Sequence, residues 1–309
     1  MWRVWVLASR PHTLTASLSP CIVGYAVAAT FTDKPLFLVF LRWFLFCVLI
    51  QLATNLHNDY ADFVKGADTP ERVGQARATQ KGWLTPSQTA GASTICLVVA
   101  LAVGIPLLPS DQIYLFILAS SCFNAVAYTG GPYPLGFVGL GDVSIAYWGL
   151  GDVFCFLYFG IVAVLTIPYI VMRSNGNTED LWTLWPQLQP LHAIPAALLS
   201  TAIIVVNNLR DRHTDFKANK RTLAVRFGAL FCKVEYTALL VTAYGVAVYQ
   251  AQSSYWNLLP LLTIPLAVPC AKAMWTMEGR DLNPFVGKTA FCELLYCILQ
   301  SVAMILATR

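Results

Sequence analysis

Nine stretches of about 20 apolar residues each, enough for a helix to cross the hydrocarbon core of a bilayer, leave this chain few ways to fold. They run Leu14–Phe31, Leu36–Leu56, Gln88–Leu108, Gln112–Thr129, Val153–Met172, Leu191–Leu209, Val234–Gln250, Trp256–Met274 and Pro284–Leu306. Lipid offers no hydrogen bonds, so backbone that crosses it must satisfy its own polar groups, and runs of this length do so as α-helices. The composition agrees: 57% of residues are hydrophobic and only 12% charged, with a mean hydropathy of +0.60. Soluble domains carry about 25% charged residues. The expected fold is therefore all-α: a multi-span membrane protein, read as a single integral-membrane domain over residues 1–309.

The cations test the count. With the N-terminus on the cytoplasmic or equivalent side, almost all Lys and Arg fall inside. Only Lys34, Arg42, Arg173 and Arg309 fall outside. An odd number of spans is self-consistent, and the polar loops 58–86 and 210–233 share the inner side. The N-terminal apolar run lacks the small-residue exit of a cleaved leader. The nine cysteines include no Cys-x-x-Cys pair and lie mostly in apolar runs, where a thiol packs as a small hydrophobe. His12, His57, His192 and His213 are scattered without ligand spacing; His12 and His192 read as interfacial. There is no glycine-rich phosphate loop and no nucleophilic triad, and no nucleic acid is implied as a partner. A tandem segment, Gly139-Leu140-Gly141-Asp142-Val143 repeated at Gly149-Leu150-Gly151-Asp152-Val153, reads as a structural turn.

Chemistry concentrates in the two inner loops. The first begins Asn58-Asp59-Tyr60-Ala61-Asp62 and continues through Gly66 to Asp68; the second begins Asn207-Asn208-Leu209-Arg210-Asp211 and continues to Asp215. Positions four apart share a helix face, about 6 Å apart along the axis. Asn207, Asp211 and Asp215 thus form one polar stripe. Asn58 and Asp62 form another, which Asp68 extends where Gly66 ends the helix. Two acidic stripes facing each other repel unless cations lie between them. Mg2+ suits that place, because it takes one or two carboxylates and fills its shell with water and phosphate oxygens. The candidate metal donors are Asn58, Asp62, Asp68, Asn207, Asp211 and Asp215. Arg72, Arg77 and Lys81 follow the first motif, and Lys220 and Arg221 the second; such cations grip phosphate. Aromatic residues around the fourth-to-fifth connection, Tyr128 and Tyr133 among them, could wall a pocket for a flat acceptor or an allylic cation.

The sequence resembles the UbiA superfamily of intramembrane prenyltransferases, and within it the 1,4-dihydroxy-2-naphthoate prenyltransferase (MenA) type. The resemblance rests on Asn55-Leu56-His57-Asn58-Asp59-Tyr60-Ala61-Asp62, Lys65-Gly66-Ala67-Asp68, Gln80-Lys81-Gly82, Tyr128-Thr129-Gly130-Gly131-Pro132-Tyr133-Pro134, Gly149–Val153, Asn207–Asp211, Lys220–Arg226 and Ala8–Leu14. It implies nine transmembrane helices around a central cavity capped by the two motif loops. It also implies a prenyl diphosphate and 1,4-dihydroxy-2-naphthoate as substrates, Mg2+ as cofactor, and a plastid or bacterial inner membrane as the lipid setting. The superfamily's third Asp would fall at Gly66, so either Asp68 or Asp59 completes the first site. Asp59 could alternatively orient the acceptor or act as a base. The expected reaction is ionisation of the diphosphate ester, attack by the electron-rich ring, and loss of carbon dioxide and a proton. A benzenoid acceptor and, from another class, a secondary transporter are the alternatives. Against transport, the Asp residues lie at span ends and not at the midplane.

Overall fold

A computed structural model describes residues 2–34, 36–68 and 72–308; Arg309 and the His12 side chain lie outside the described residues. Among the described residues seven helices are long and apolar enough to cross a membrane: Phe37–Val64 (α2), Pro86–Leu107 (α3), Gly151–Ser174 (α5), Pro190–Lys217 (α6), Leu223–Gln250 (α7), Tyr255–Thr276 (α8) and Gly279–Ala307 (α9). Two shorter apolar helices, Thr15–Ala29 (α1) and Gln112–Ala127 (α4), bring the expected nine together. At 1.5 Å per residue α1 and α4 span only about 23 Å. The polar Trp-bearing loop after α5 forms a short helix, Leu181–Gln187, capped by Asp180.

Helix starts carry the signals that stop water-facing amide groups from going unpaired. Thr85 and Gln88 make a reciprocal capping box at α3, behind Pro86. Asp111 accepts from the Tyr114 amide at α4, and Thr222 caps α7. α7 begins well before the expected Val234 because an inner-side turn of helix joins it across a kink at Gly228. α5 contains a π-helical stretch, Phe156–Val162, a feature common where a helix lines a functional cavity.

The helices assemble as two packed groups. One core joins α1 to α5, with Trp43, Phe46, Tyr114 and Ile167 buried. The other joins α6 to α9 around Leu199, Tyr236, Met274 and Tyr296. Lipid tails are as apolar as leucine, so close van der Waals fit and interhelical hydrogen bonds hold such helices together. Small residues supply the fit: an added Cβ on Gly160 would come within 2.0 Å of the Ala197 Cβ, so α5 and α6 meet at backbone distance. Buried aromatic donors supply bonds. Trp43 Nε1 donates to the Ala163 carbonyl at 2.9 Å, linking α2 to α5, and the Tyr296 hydroxyl donates to the Ala243 carbonyl at 2.7 Å. All nine cysteines are free, and Cys21, Cys232, Cys270, Cys292 and Cys297 are buried as packing residues.

The tandem segment behaves as a turn in both copies: Gly139 and Gly149 each adopt φ 76. The second copy also starts α5. Its Asp152 is buried and accepts from the Asn208 amide at 3.4 Å, so the repeat braces the second motif.

Candidate active site

Between the two packed groups lies a cavity of about 270 Å³, lined by the inner ends of α2 and α6, by α1, α4 and α5, and by the loop after α2. Asn58, Asp62, Asp68, Arg72, Arg77, Tyr128, Asn207, Asp211, Asp215 and Lys220 all line it. Both acidic motifs therefore open into a single chamber.

The first wall is the end of α2. Asn58 accepts from the Thr129 hydroxyl. One turn on, Asp62 accepts from Arg77 Nη2 at 3.1 Å and from the Tyr147 hydroxyl at 3.0 Å. Gly66 then takes φ 71, the left-handed conformation that ends a helix cheaply only without a Cβ. The Ala67 amide folds back onto the Asp62 carbonyl at 2.8 Å. That reversal brings Asp68 beneath Asp62, where it pairs with Arg72 and lies 3.6 Å from Arg77 Nε. Asp68, and not Asp59, therefore lines the chamber together with Asp62. Burial, with Asp62 and Asp59 adding to it against Arg72, pushes its pKa up to about 6.

The second wall is the end of α6. Arg210 forks onto Asp211, at 2.8 Å and 2.7 Å. Its other nitrogen donates to Asn283 Oδ1 at 3.2 Å, and Asn283 donates in turn to the Val73 carbonyl at 3.2 Å. Lys220 Nζ is 4.0 Å from Asp215. Two cations face both walls. Burial pulls the Lys220 ammonium down, yet Asp215, Asp62 and Asp211 together raise it above its ordinary value. Burial likewise opposes Arg72, and Asp68, Asp211 and Asp62 raise it overall. Charges from both motifs act on each of these side chains, as a shared site requires.

Four expected residues fall elsewhere. Asp59 is buried on another face of α2 and accepts from the amides of Ala78 and Thr79 at 3.0 Å and 3.4 Å. One residue beyond Asn58 rotates the side chain by about 100°, so Asp59 faces the basic loop and not the chamber. Lys81 is exposed on the turn beyond it. Arg221 bonds Asn219 and lies over the Phe216 ring. Tyr133 shares a hydrogen bond with Thr94 and packs edge-on against Tyr60. His57 bonds the Gly130 carbonyl at 2.9 Å beside the first motif, and His213 meets Arg212 on the surface. His192 is partly buried and bonds Gln250 at 2.9 Å.

Motif spacing missed further residues around the two walls. Tyr147 bridges the motifs: its hydroxyl meets Asp62, its ring faces Lys65 at 4.4 Å and Lys220 at 5.7 Å, and its carbonyl accepts from the Arg221 amide. Arg10, Gln51, Gln75 and Arg210 line the chamber. Burial, with Arg72 nearby, lowers the Arg10 guanidinium to about 10.

The donor set suits a metal shared with a phosphate ligand. No three His, Cys, Asp or Glu among the described residues are placed to hold an ion by themselves. Mg2+ does not need three, since one or two carboxylates and substrate oxygens suffice. Asp62 with Asp68, and Asp211 with Asp215, provide such pairs, and Asp68 Oδ2 is buried without a hydrogen-bond partner.

A sequence profile described as the UbiA prenyltransferase family matches residues 17–286. The chain belongs to the UbiA prenyltransferase family. It is an integral-membrane prenyltransferase. It is 32% identical over 310 aligned positions to the 1,4-dihydroxy-2-naphthoate octaprenyltransferase of Escherichia coli, covering 96% of this chain and 93% of that one. Two solved structures share the fold. A UbiA homolog from Aeropyrum pernix superposes with a TM-score of 0.68 at 13% identity, covering 96% of this chain and 97% of that one. A UbiA homolog from Archaeoglobus fulgidus, bound to DMAPP and Mg2+, superposes with a TM-score of 0.57 at 14% identity, covering 96% and 99%.

Proposed function

We propose that this family member transfers a prenyl group from its diphosphate to 1,4-dihydroxy-2-naphthoate, with loss of the acceptor's carboxyl group, in the route to a demethylated menaquinone or phylloquinone. One observation carries the reading. The two acidic motifs line a single chamber, and Arg72 and Lys220 each face both. The near full-length similarity to a 1,4-dihydroxy-2-naphthoate octaprenyltransferase supports the choice of acceptor.

In this reading Asp62, Asp68, Asp211 and Asp215, with Asn58 and Asn207, would hold Mg2+. Mg2+ held there would supply positive charge to the diphosphate. The chain's own residues do the rest. Arg72, Arg77 and Lys220 neutralise the leaving diphosphate as the C1–O electron pair departs with it. Tyr147 fixes the Asp62 carboxylate by its hydrogen bond, and its ring holds Lys220 over the leaving group. The faces of Tyr128, Phe154, Tyr158 and Phe159 line the apolar part of the chamber and stabilise an allylic cation. The ring carbon that bears the carboxylate then forms the new C–C bond, its bond to the carboxylate breaks, the electron pair of that bond restores the aromatic ring, and carbon dioxide leaves.

Asp62→Ala and Asp211→Ala test this in purified protein supplied with magnesium, a prenyl diphosphate and a panel of acceptors. Both variants should remain folded and lose turnover. Near-normal activity in both refutes the carboxylate assignment, and turnover of 4-hydroxybenzoate or homogentisate in preference to the naphthoate refutes the acceptor.

A further inference from the structure

Among the described residues, the chamber cations Arg72, Arg77, Arg210 and Lys220 each lie within 4.0 Å of a motif carboxylate. Arg10 lines the chamber without such a partner. It sits against the first-motif helix, where Asn55 is its hydrogen-bond partner and Asp59, Asp62 and Asp68 act on its charge. Its guanidinium donates one long hydrogen bond, from Nη2 to the Asn55 carbonyl at 3.4 Å. A guanidinium carries five N–H donors in a planar fork.

The backbone is built to aim that fork inward. Arg10 adopts φ 52, ψ 63, an unfavourable conformation for a residue with a Cβ. Asn55 clamps the turn, donating from Nδ2 to the Ser9 carbonyl at 3.0 Å and to Thr13 Oγ1 at 3.4 Å, while Thr13 Oγ1 donates to the Arg10 carbonyl at 2.9 Å. One helical turn earlier on α2, Gln51 lines the same chamber. It is 9% exposed, and its Oε1 is buried with no hydrogen-bond partner. A buried polar atom left unpaired is costly unless a ligand completes it. A spare donor fork held at Asn55 and a spare acceptor one helical turn away, both lining one chamber, complement a planar ligand that bears a carboxylate and a hydroxyl.

We propose that Arg10 and Gln51 form the acceptor subsite, with Arg10 receiving the carboxylate of the aromatic acceptor and Gln51 Oε1 receiving the proton of a ring hydroxyl. This rests on the acceptor being a hydroxylated aromatic carboxylate, as proposed above. The subsite holds the ring beside the diphosphate cradle and leaves Arg72, Arg77 and Lys220 to the leaving group.

The test is steady-state kinetics on the full chain in detergent with magnesium, comparing 1,4-dihydroxy-2-naphthoate with 1,4-naphthalenediol, the same ring without its carboxylate. In Arg10→Gln the KM for the naphthoate should rise about tenfold to a hundredfold, the loss expected when one charge-assisted hydrogen-bond pair is removed. The KM for the prenyl diphosphate should stay within about twofold, as expected if no diphosphate contact is lost. The naphthalenediol should bind wild type and Arg10→Gln alike, because the penalties for losing the carboxylate and losing the fork are one penalty. Arg10→Lys and Gln51→Leu should raise the acceptor KM by smaller factors, and they carry the test if Arg10→Gln is not recovered folded. A rise in the KM for the prenyl diphosphate instead overturns the assignment. So does an acceptor KM unchanged in all three variants, or a separate penalty for each loss. If wild type turns over no hydroxylated aromatic carboxylate, the acceptor reading fails and this proposal fails with it.

Discussion

Asp59 offers the sharpest separation between holding a site together and doing its chemistry. Its carboxylate accepts from the Ala78 and Thr79 amides and so fastens the loop that carries Arg77 to the end of α2. Asp59→Ala removes a hydrogen bond to a charged group, worth about 1.5–3 kcal/mol, and leaves a buried amide unpaired at a further cost of about 1–3 kcal/mol. The two together, about 2.5–6 kcal/mol, fall on the closed position of one loop. If all of it goes into loop opening, the competent population and kcat/KM fall by at most about 70-fold to 25,000-fold. Asp59→Asn keeps an oxygen where the amides point and should recover most of that loss, leaving about a tenfold deficit from the weaker neutral bond. The assay is kcat/KM for the prenyl diphosphate, paired with hydrogen exchange at Ala78 and Thr79. Exchange should quicken markedly in the alanine variant and only slightly in the asparagine variant. A base at position 59 predicts something else: both variants equally inactive with exchange unchanged. That outcome would refute the fastening role.

Three further expectations follow from the same geometry. Tyr147→Phe keeps the ring beside Lys65 and Lys220 but loses the bond to Asp62, and should cost about tenfold in kcat; Tyr147→Ala loses both and should cost more, and equal losses would mean the ring contributes nothing. Asp68 titrates near 6, above the ordinary carboxylate value, because of its burial. Protonating it below that pH weakens the grip on metal and cations, so the KM for the prenyl diphosphate should climb as pH falls through 6. The folded state binds this proton more tightly than the unfolded chain does, so the group's effect on stability runs the opposite way and favours the fold in that window. An acid limb unchanged in Asp68→Asn would contradict the assignment. Gly149→Ala forces a Cβ into φ 76 and within 2.6 Å of the Arg221 carbonyl, and should lower stability by about 1–3 kcal/mol in thermal melts; no shift would show that the tandem turn tolerates rearrangement.

The spans were readable because lipid imposes length and apolarity on every crossing, and the seven long and two short helices fall where the apolar runs lie. The α7 start was not, since Arg226, Gly228 and Lys233 interrupt the apolar residues that precede Val234. The carboxylate stripes were readable from four-residue spacing. The same spacing already placed Asp59 about 100° off the Asn58–Asp62 face, and a stricter use of it would have removed Asp59 from the chamber. Lys81 and Arg221 follow the motifs in sequence, but loop backbone carries no period that says which way a side chain turns. Arg10 reaches the chamber, and Tyr147 reaches Asp62, through such loops, one by a left-handed residue and the other by a tandem turn. Arg210 stands next to Asp211 on a helix, where neighbours do not normally meet; its long side chain curls back to reach it.

The loop from Arg72 to Thr79 is fastened by side chains from three helices: Asp59 of α2, Arg210 of α6 lying against Gly74, and Asn283 of α9 at Val73. A hinge of that kind cannot swing on one side alone. Displacing the loop therefore means breaking its contacts with α2, α6 and α9 together, so a substitution at any one of the three helices is felt at the other two.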